Sequence, residues 1–184
     1  MAYRNGTYVA FNGMGTTDPT KSDMKFYGLL QSWDGQNNMD FKFNDSHKKT
    51  YSVYDTSSIN TLKDRLQERF RSSKNMLLIV SEFTSVNRGM LNWEIEQAVD
   101  VYRLPIIVCY TGYESILNPN SHVKKLPKSL IERIQNSSVK AIHIPFRKIA
   151  ISTAINQFSI VNNQYPRGSY THYTKETYER WKGK

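Results

Sequence analysis

Few residues in this sequence have the type and spacing to do chemistry, and the clearest of them is Glu94. It sits in Gly89-Met-Leu-Asn-Trp-Glu-Ile-Glu-Gln-Ala-Val99. At about 100° per residue, Leu91, Ile95, Ala98, Val99 and Tyr102 fall on one helical stripe. Glu94 lies just outside that stripe, on the same flank as Met90, while Trp93, Glu96 and Asp100 project to the opposite side. A carboxyl at the edge of a buried stripe is half shielded, which raises its pKa and restricts its motion. Such a group suits electrostatic or acid–base work. It is also what a solvated boundary glutamate looks like, and helical geometry alone leaves both readings open.

Other chemistries lack their residues. No Gly-x-x-x-x-Gly-Lys-Ser/Thr loop occurs, and Asn12-Gly13-Met14-Gly15 falls short of a dinucleotide fingerprint. His47, His122, His143 and His172 show no metal-ligand spacing and no cysteine partner, so no metal is expected. His143 lies within a strand pattern and reads as a satisfied core histidine. Cys109, the single cysteine, reads as buried core and excludes an internal disulfide. A phosphoacceptor domain would need acids after its first strand and an aspartate ending its third. Here those places hold Phe11-Asn12 and Val80-Ser81.

The elements that must position Glu94 alternate along the chain. Thr7–Phe11 is a β-prone run opening into a polar loop that reaches Asp18-Pro19. Phe26, Leu29, Leu30 and Trp33 form a helical stripe. Met39–Asn44 alternates apolar and polar residues, the pattern of an edge strand. A long polar loop, 45–58, precedes a helix with stripe Ile59, Leu62, Leu66 and Phe70, with Ser57 or Ser58 as its cap. Met76–Val80 and Pro105–Tyr110 are continuous apolar runs, as expected of strands covered on both faces. A short helix over 126–134, a strand over 139–144 and a final stripe of Ile151, Ala154, Ile155, Phe158 and Val161 follow.

Five strand–helix alternations predict an α/β fold, flavodoxin-like and three-layered. Its five-stranded, mainly parallel sheet is expected in the order 2-1-3-4-5, with helices on both faces. Residues 1–162 form the expected domain, and 163–184 a basic, tyrosine-rich extension whose aromatics are expected to pack. Ligands of such sheets bind beyond the carboxyl ends of the strands, at the switch in strand order. That places the cleft among 11–18, 45–58 and 81–88, with 110–112 on its far side.

The 184 residues carry nine more Lys and Arg than Asp and Glu. The charges are dispersed, which favours a solvated basic surface or a small anionic ligand over nucleic acid. No apolar stretch is long enough to span a bilayer and no signal-peptide core opens the chain, so a cytoplasmic protein is expected.

The pattern of a strand ending in Ser81-x-x-x-Ser85, then Met90-Leu91-x-x-Glu94-Ile95, resembles that of TIR domains. With Asn44-Asp45-Ser46 and Asn92-Trp93-Glu94-Ile95, the chain is similar over about residues 5–160 to the bacterial TIR-like family of the Thoeris antiphage defence system. The resemblance implies that NAD is a substrate, not a cofactor, and that the activity is that of an NAD+ nucleosidase or ADP-ribosyl cyclase. Glu94 would be catalytic, with Phe11, Asn12, Asp45, Ser46, Ser81 and Met90 lining the NAD site. Ser81 would lie under the ribose, and the 45–58 loop would gate the pocket and mediate self-association. Lys48, Lys49 and Arg88 could meet pyrophosphate or simply be solvated. The product would be a cyclic ADP-ribose-type signal read by a separate NAD-depleting effector. Two positions depart from the pattern: Met90 replaces an aromatic, and Ala10 replaces a serine. A non-catalytic adaptor using Trp93, the 45–58 loop and the tail is the alternative, followed by a nucleic-acid binder.

Overall fold

A computed structural model describes residues 4–14, 16, 18–35, 59–84 and 89–183. The strands are β1 (Gly6–Ala10), β2 (Ser73–Val80), β3 (Ile106–Tyr110), β4 (Ala141–Pro145) and β5 (Thr171–His172). They form one sheet in which every pair is parallel. The order is β1-β2-β3-β4-β5, not 2-1-3-4-5. The difference has two parts. The expected edge strand over 39–44 lies outside the described residues. The fifth strand comes instead from the C-terminal extension, where Thr171 and His172 pair with Ile142 and His143.

Helices cover both faces, as expected. Alternation along the strands sends Tyr8, Ala10, Met76, Leu78, Val80, Ile106, Val108 and Tyr110 to one side. There they meet α2 (Ile59–Ser72), α3 (Gly89–Glu96) and α4 (Lys128–Gln135). Val9, Leu77, Ile79, Ile107, Cys109, Ile142 and Ile144 face the other side. That layer is built by α1 (Met24–Gly35), α5 (Lys148–Gln157) and α6 (Lys175–Trp181). Burial on both faces explains why β2 and β3 read as unbroken apolar runs.

Three stripe residues depart from expectation. Leu29, Ile59 and Val161 are exposed. Leu30 alone of α1 is fully buried. Ile59 is the first residue of α2, and Val161 falls beyond α5, in the turn closed by the Ser159–Gln164 bridge.

A buried polar cross-link ties β1 and β2 to α5. The Thr7 hydroxyl donates to Asn75 Oδ1 at 2.8 Å. Asn75 Nδ2 donates to the carbonyls of Ile155 and Phe158 at 3.1 and 2.7 Å. A second link joins β3, β4 and the extension: the Tyr110 hydroxyl meets His143 Nδ1 at 2.9 Å, and His143 Nε2 lies 2.8 Å from the Ser169 carbonyl. A carbonyl only accepts, so Nε2 carries the proton and Nδ1 accepts from Tyr110. Burial holds His143 at about 4, so it is neutral near pH 7. Three aromatics of the extension pack as expected, Tyr178 being buried and Tyr173 and Trp181 lying against the α1/α5 layer, whereas Tyr170 is exposed.

Candidate active site

Glu94 is carried by the crossover between β2 and β3. Leu91 and Ile95 bury the inner face of α3, which sets the helix's rotation. Two contacts fix its outer side. Asn92 Oδ1 accepts from the Ser129 N–H at 2.9 Å, capping α4, and Asp100 pairs with Arg133. After Glu96 the helix widens into a π-turn, Gln97–Val101, where the Tyr102 N–H reaches the Gln97 carbonyl at 3.0 Å. Such single-turn π-segments are frequent at functional sites.

From this helix Glu94 reaches the sheet. Its Oε1 accepts a hydrogen bond from the hydroxyl of Tyr8 in β1. Tyr8 is fully buried and stacked on Phe70 of α2, with ring centroids 4.0 Å apart. The carboxyl is therefore oriented by a rigid aromatic rather than by a flexible surface partner. Burial pushes Glu94 up to about 7, against the opposing pull of the Tyr8 hydrogen bond and the Arg69 charge. Burial, then the Glu94 charge, raises Tyr8 well above the ordinary tyrosine range. Tyr8 thus remains the donor, and Glu94 changes charge near neutral pH.

A second constellation stands where β1 and β2 end. The Ser81 hydroxyl donates to Asp23 Oδ1, and the Asn12 N–H donates to Asp23 Oδ2 at 3.3 Å. Asn12 Nδ2 donates to the Phe83 carbonyl at 2.5 Å, and its Oδ1 accepts from the Met14 N–H at 2.9 Å. Phe83 N–H returns to Ser81 Oγ at 2.9 Å. Asp23 has no exposed surface. Burial raises its pKa, against the hydrogen bonds from Ser81 and Asn12. The effect is a latch that holds the loop after β1 against the loop after β2.

The expected NAD-site residues are distributed as follows. Asn12 and Ser81 come together through Asp23. Met90 is partly buried against the α2/α3 core, on the Glu94 side of the sheet. Phe11 points to the other face, where it stacks on Tyr27 at 5.1 Å; one step of strand alternation past Ala10 puts it there. Asp45 and Ser46 lie outside the described residues, as do the 45–58 loop, Lys48, Lys49 and Arg88. Trp93 does not stand free: it packs against the α2/α3 core, with Lys63 Nζ 5.3 Å from its ring centroid.

The sequence reading missed Tyr8, Asp23 and Arg69. Tyr8 was signalled only by alternation, since it shares a face with Ala10. Asp23 directly precedes α1 and resembles a helix cap, yet its carboxylate turns back to the strand ends.

A cleft of about 590 Å³ opens over the carboxyl ends of β2 and β3, where parallel sheets bind ligands. Val80, Ser81, Thr84, Tyr110, Thr111 and Lys125 are among its walls, and Glu94 is not. Among the described residues, no helix is long and apolar enough to cross a membrane.

Residues 8–116, from Tyr8 through β3 to the loop beyond it, match the model of the Thoeris protein ThsB, TIR-like domain. The match spans both Tyr8 and Glu94, the Asn12–Asp23–Ser81 latch and most of the cleft, more than half of the chain; the protein belongs to the Thoeris ThsB TIR-like family.

Proposed function

We propose that this protein is an NAD-consuming enzyme of antiphage defence that cleaves the nicotinamide–ribose bond with Glu94 as its catalytic group. Family membership supports the defence role. The observation that carries the chemical reading is the Glu94 carboxyl, shielded, bonded to the Tyr8 hydroxyl and held at about 7. Structural surface glutamates have neither the shielding nor the rigid partner.

The chemistry follows from charge. When the C1′–N bond breaks, nicotinamide leaves neutral with the bonding pair, and positive charge builds on the ribose. A fixed carboxylate stabilises that oxocarbenium-like centre, and does so more strongly where water is scarce. Tyr8 holds the carboxylate in place. The ribose carbon is then captured either by water, giving ADP-ribose, or by a nucleophilic atom of the same nucleotide with loss of a proton. The second route gives a cyclic ADP-ribose isomer, the signal we assign to a separate NAD-depleting effector. Asn12, Ser81 and Met90 belong to the nucleotide surround, together with Asp45 and Ser46. Self-association through TIR surfaces, in the cytoplasm, is part of this reading.

The test is nucleotide mass spectrometry of purified protein incubated with NAD. Nicotinamide and a cyclic or linear ADP-ribose are expected from the wild type and not from Glu94→Gln. Equal release by both proteins removes Glu94 from the reaction.

A further inference from the structure

A second pocket opens at the amino ends of β3 and β4, at the other end of the parallel sheet from Ser81. Its volume is about 320 Å³, and its walls are Val99, Arg103, Leu104, Ser138, Lys140 and Tyr165. The backbone around it is specially shaped. Val99 lies in the π-turn that continues α3, a kind of segment frequent at functional sites. Arg103 and Ser137 take left-handed conformations, with φ of 56° and 59°. A side chain with a Cβ disfavours that region, and residues held there cluster at ligand sites. Hydrogen bonds fix this backbone. The Tyr165 hydroxyl donates to the Arg103 carbonyl at 3.0 Å, and the Leu104 N–H donates to the Ala98 carbonyl at 2.8 Å. The Ile106 N–H donates to the Lys140 carbonyl at 3.0 Å, which ties the start of β3 to that of β4. Arg103 and Lys140 therefore stand on a preformed frame, and a ligand need not order it.

The charge of this pocket is uncompensated. Among the described residues neither Arg103 nor Lys140 forms an ion pair with an acid. Asp100, next to Val99 in the chain, is engaged by Arg133. Arg4 adds to the same field: burial raises the pKa of the Tyr165 hydroxyl, against the opposing pull of the Arg4 and Arg103 charges. A guanidinium presents a planar fork that matches phosphate oxygens, and an ammonium adds a point charge. Val99, Leu104 and the Tyr165 ring supply apolar wall. A cation would meet repulsion, and a neutral apolar ligand would leave both charges unmatched. A lone carboxylate answers one of them, whereas a phosphate dianion answers both. The volume stands at the low end of the range of about 300–1,000 Å³ usual for ligand pockets, so the ligand is compact.

We propose that this pocket binds a small phosphate monoester with a compact apolar body, its phosphate on Arg103 and Lys140 and its body against Val99, Leu104 and Tyr165. The site is separate from Glu94 and from the cleft over β2 and β3, and does not depend on NAD cleavage.

Calorimetric titration of the full-length protein with phenyl phosphate, phenol and inorganic phosphate tests this. Phenyl phosphate is expected to saturate one site, to bind at least about tenfold tighter than phenol, and to weaken as salt rises. Inorganic phosphate, which lacks the apolar body, should bind more weakly than phenyl phosphate. Arg103→Gln/Lys140→Gln should weaken phenyl phosphate at least about tenfold. Both side chains are exposed, so the variant's thermal midpoint should match the wild type's. Lys124→Ala/Lys125→Ala, on the wall of the other cleft, should bind phenyl phosphate as the wild type does. The proposal is overturned by phenyl phosphate that binds no tighter than phenol or than inorganic phosphate. Binding unchanged by Arg103→Gln/Lys140→Gln, or lost in Lys124→Ala/Lys125→Ala, overturns it as well.

Discussion

Replacing Glu94 by Gln is expected to stabilise the fold, and to do so only above acidic pH. Glu94 titrates at about 7 in the folded protein against 4.5 for a free glutamate. The raised value means that the folded state holds a proton that the unfolded chain releases. Below about pH 4.5 both states are protonated, and the shift has no effect. As pH rises towards 7 the wild type loses stability, and above 7 the loss is complete. At about 1.36 kcal/mol per pH unit, the full penalty is about 3 kcal/mol. Gln keeps the shape and still accepts from the Tyr8 hydroxyl through its amide oxygen, but has no charge to desolvate. The variant should therefore match the wild type near pH 4.5 and exceed it by about 3 kcal/mol at pH 8. For a protein of this size that is about 6–12 °C in Tm. Thermal unfolding of both proteins across this range measures it. Asp23 is also raised by burial, but it is common to both proteins and cancels in the difference. A Tm difference that does not change with pH would refute the account of Glu94 as a desolvated carboxyl.

Three further outcomes follow from named contacts. Tyr8→Phe removes the donor that holds the Glu94 pKa down, so the rise of NAD-cleaving kcat/KM with pH, expected near 7 for a required carboxylate, should move to higher pH; a profile that stays put would contradict the Tyr8–Glu94 coupling. Asn75→Ala leaves the Thr7 hydroxyl and two backbone carbonyls unsatisfied in the core and should cost about 3 kcal/mol in denaturant unfolding, without moving that pH profile. His143→Phe removes the bonds to Tyr110 and Ser169 and should cost about 2 kcal/mol, with faster amide exchange in β5 than in β1; equal protection in both strands would show that His143 does not secure the extension.

What could be read from the sequence tracks how local its cause is. The unbroken apolar runs of β2 and β3 announced two-sided burial, and the stripe Leu91, Ile95, Ala98 and Val99 fixed the rotation of α3 correctly. With those two facts Glu94 could be placed at a stripe edge. Its partner could not be placed, because Tyr8 lies 86 residues away and meets it only through sheet pairing. The same limit hid Asp23, which is joined to Ser81 across 58 residues. The strand next to β4 was hidden for a related reason. Thr171-His172 is two residues long and carries no periodicity, so only backbone pairing with β4 reveals it as a strand. Phe11 was grouped with Asn12 by adjacency along the chain, whereas alternation sends it to the face opposite Glu94.

The central claim is that the Glu94 carboxyl breaks the nicotinamide–ribose bond. The most direct measurement is nicotinamide released from NAD by wild type and by Glu94→Gln, at matched concentration and pH 8. The account predicts release by the wild type and a loss of about a hundredfold or more in the variant, the scale of removing one transition-state electrostatic partner. Release by Glu94→Gln at the wild-type rate would contradict it.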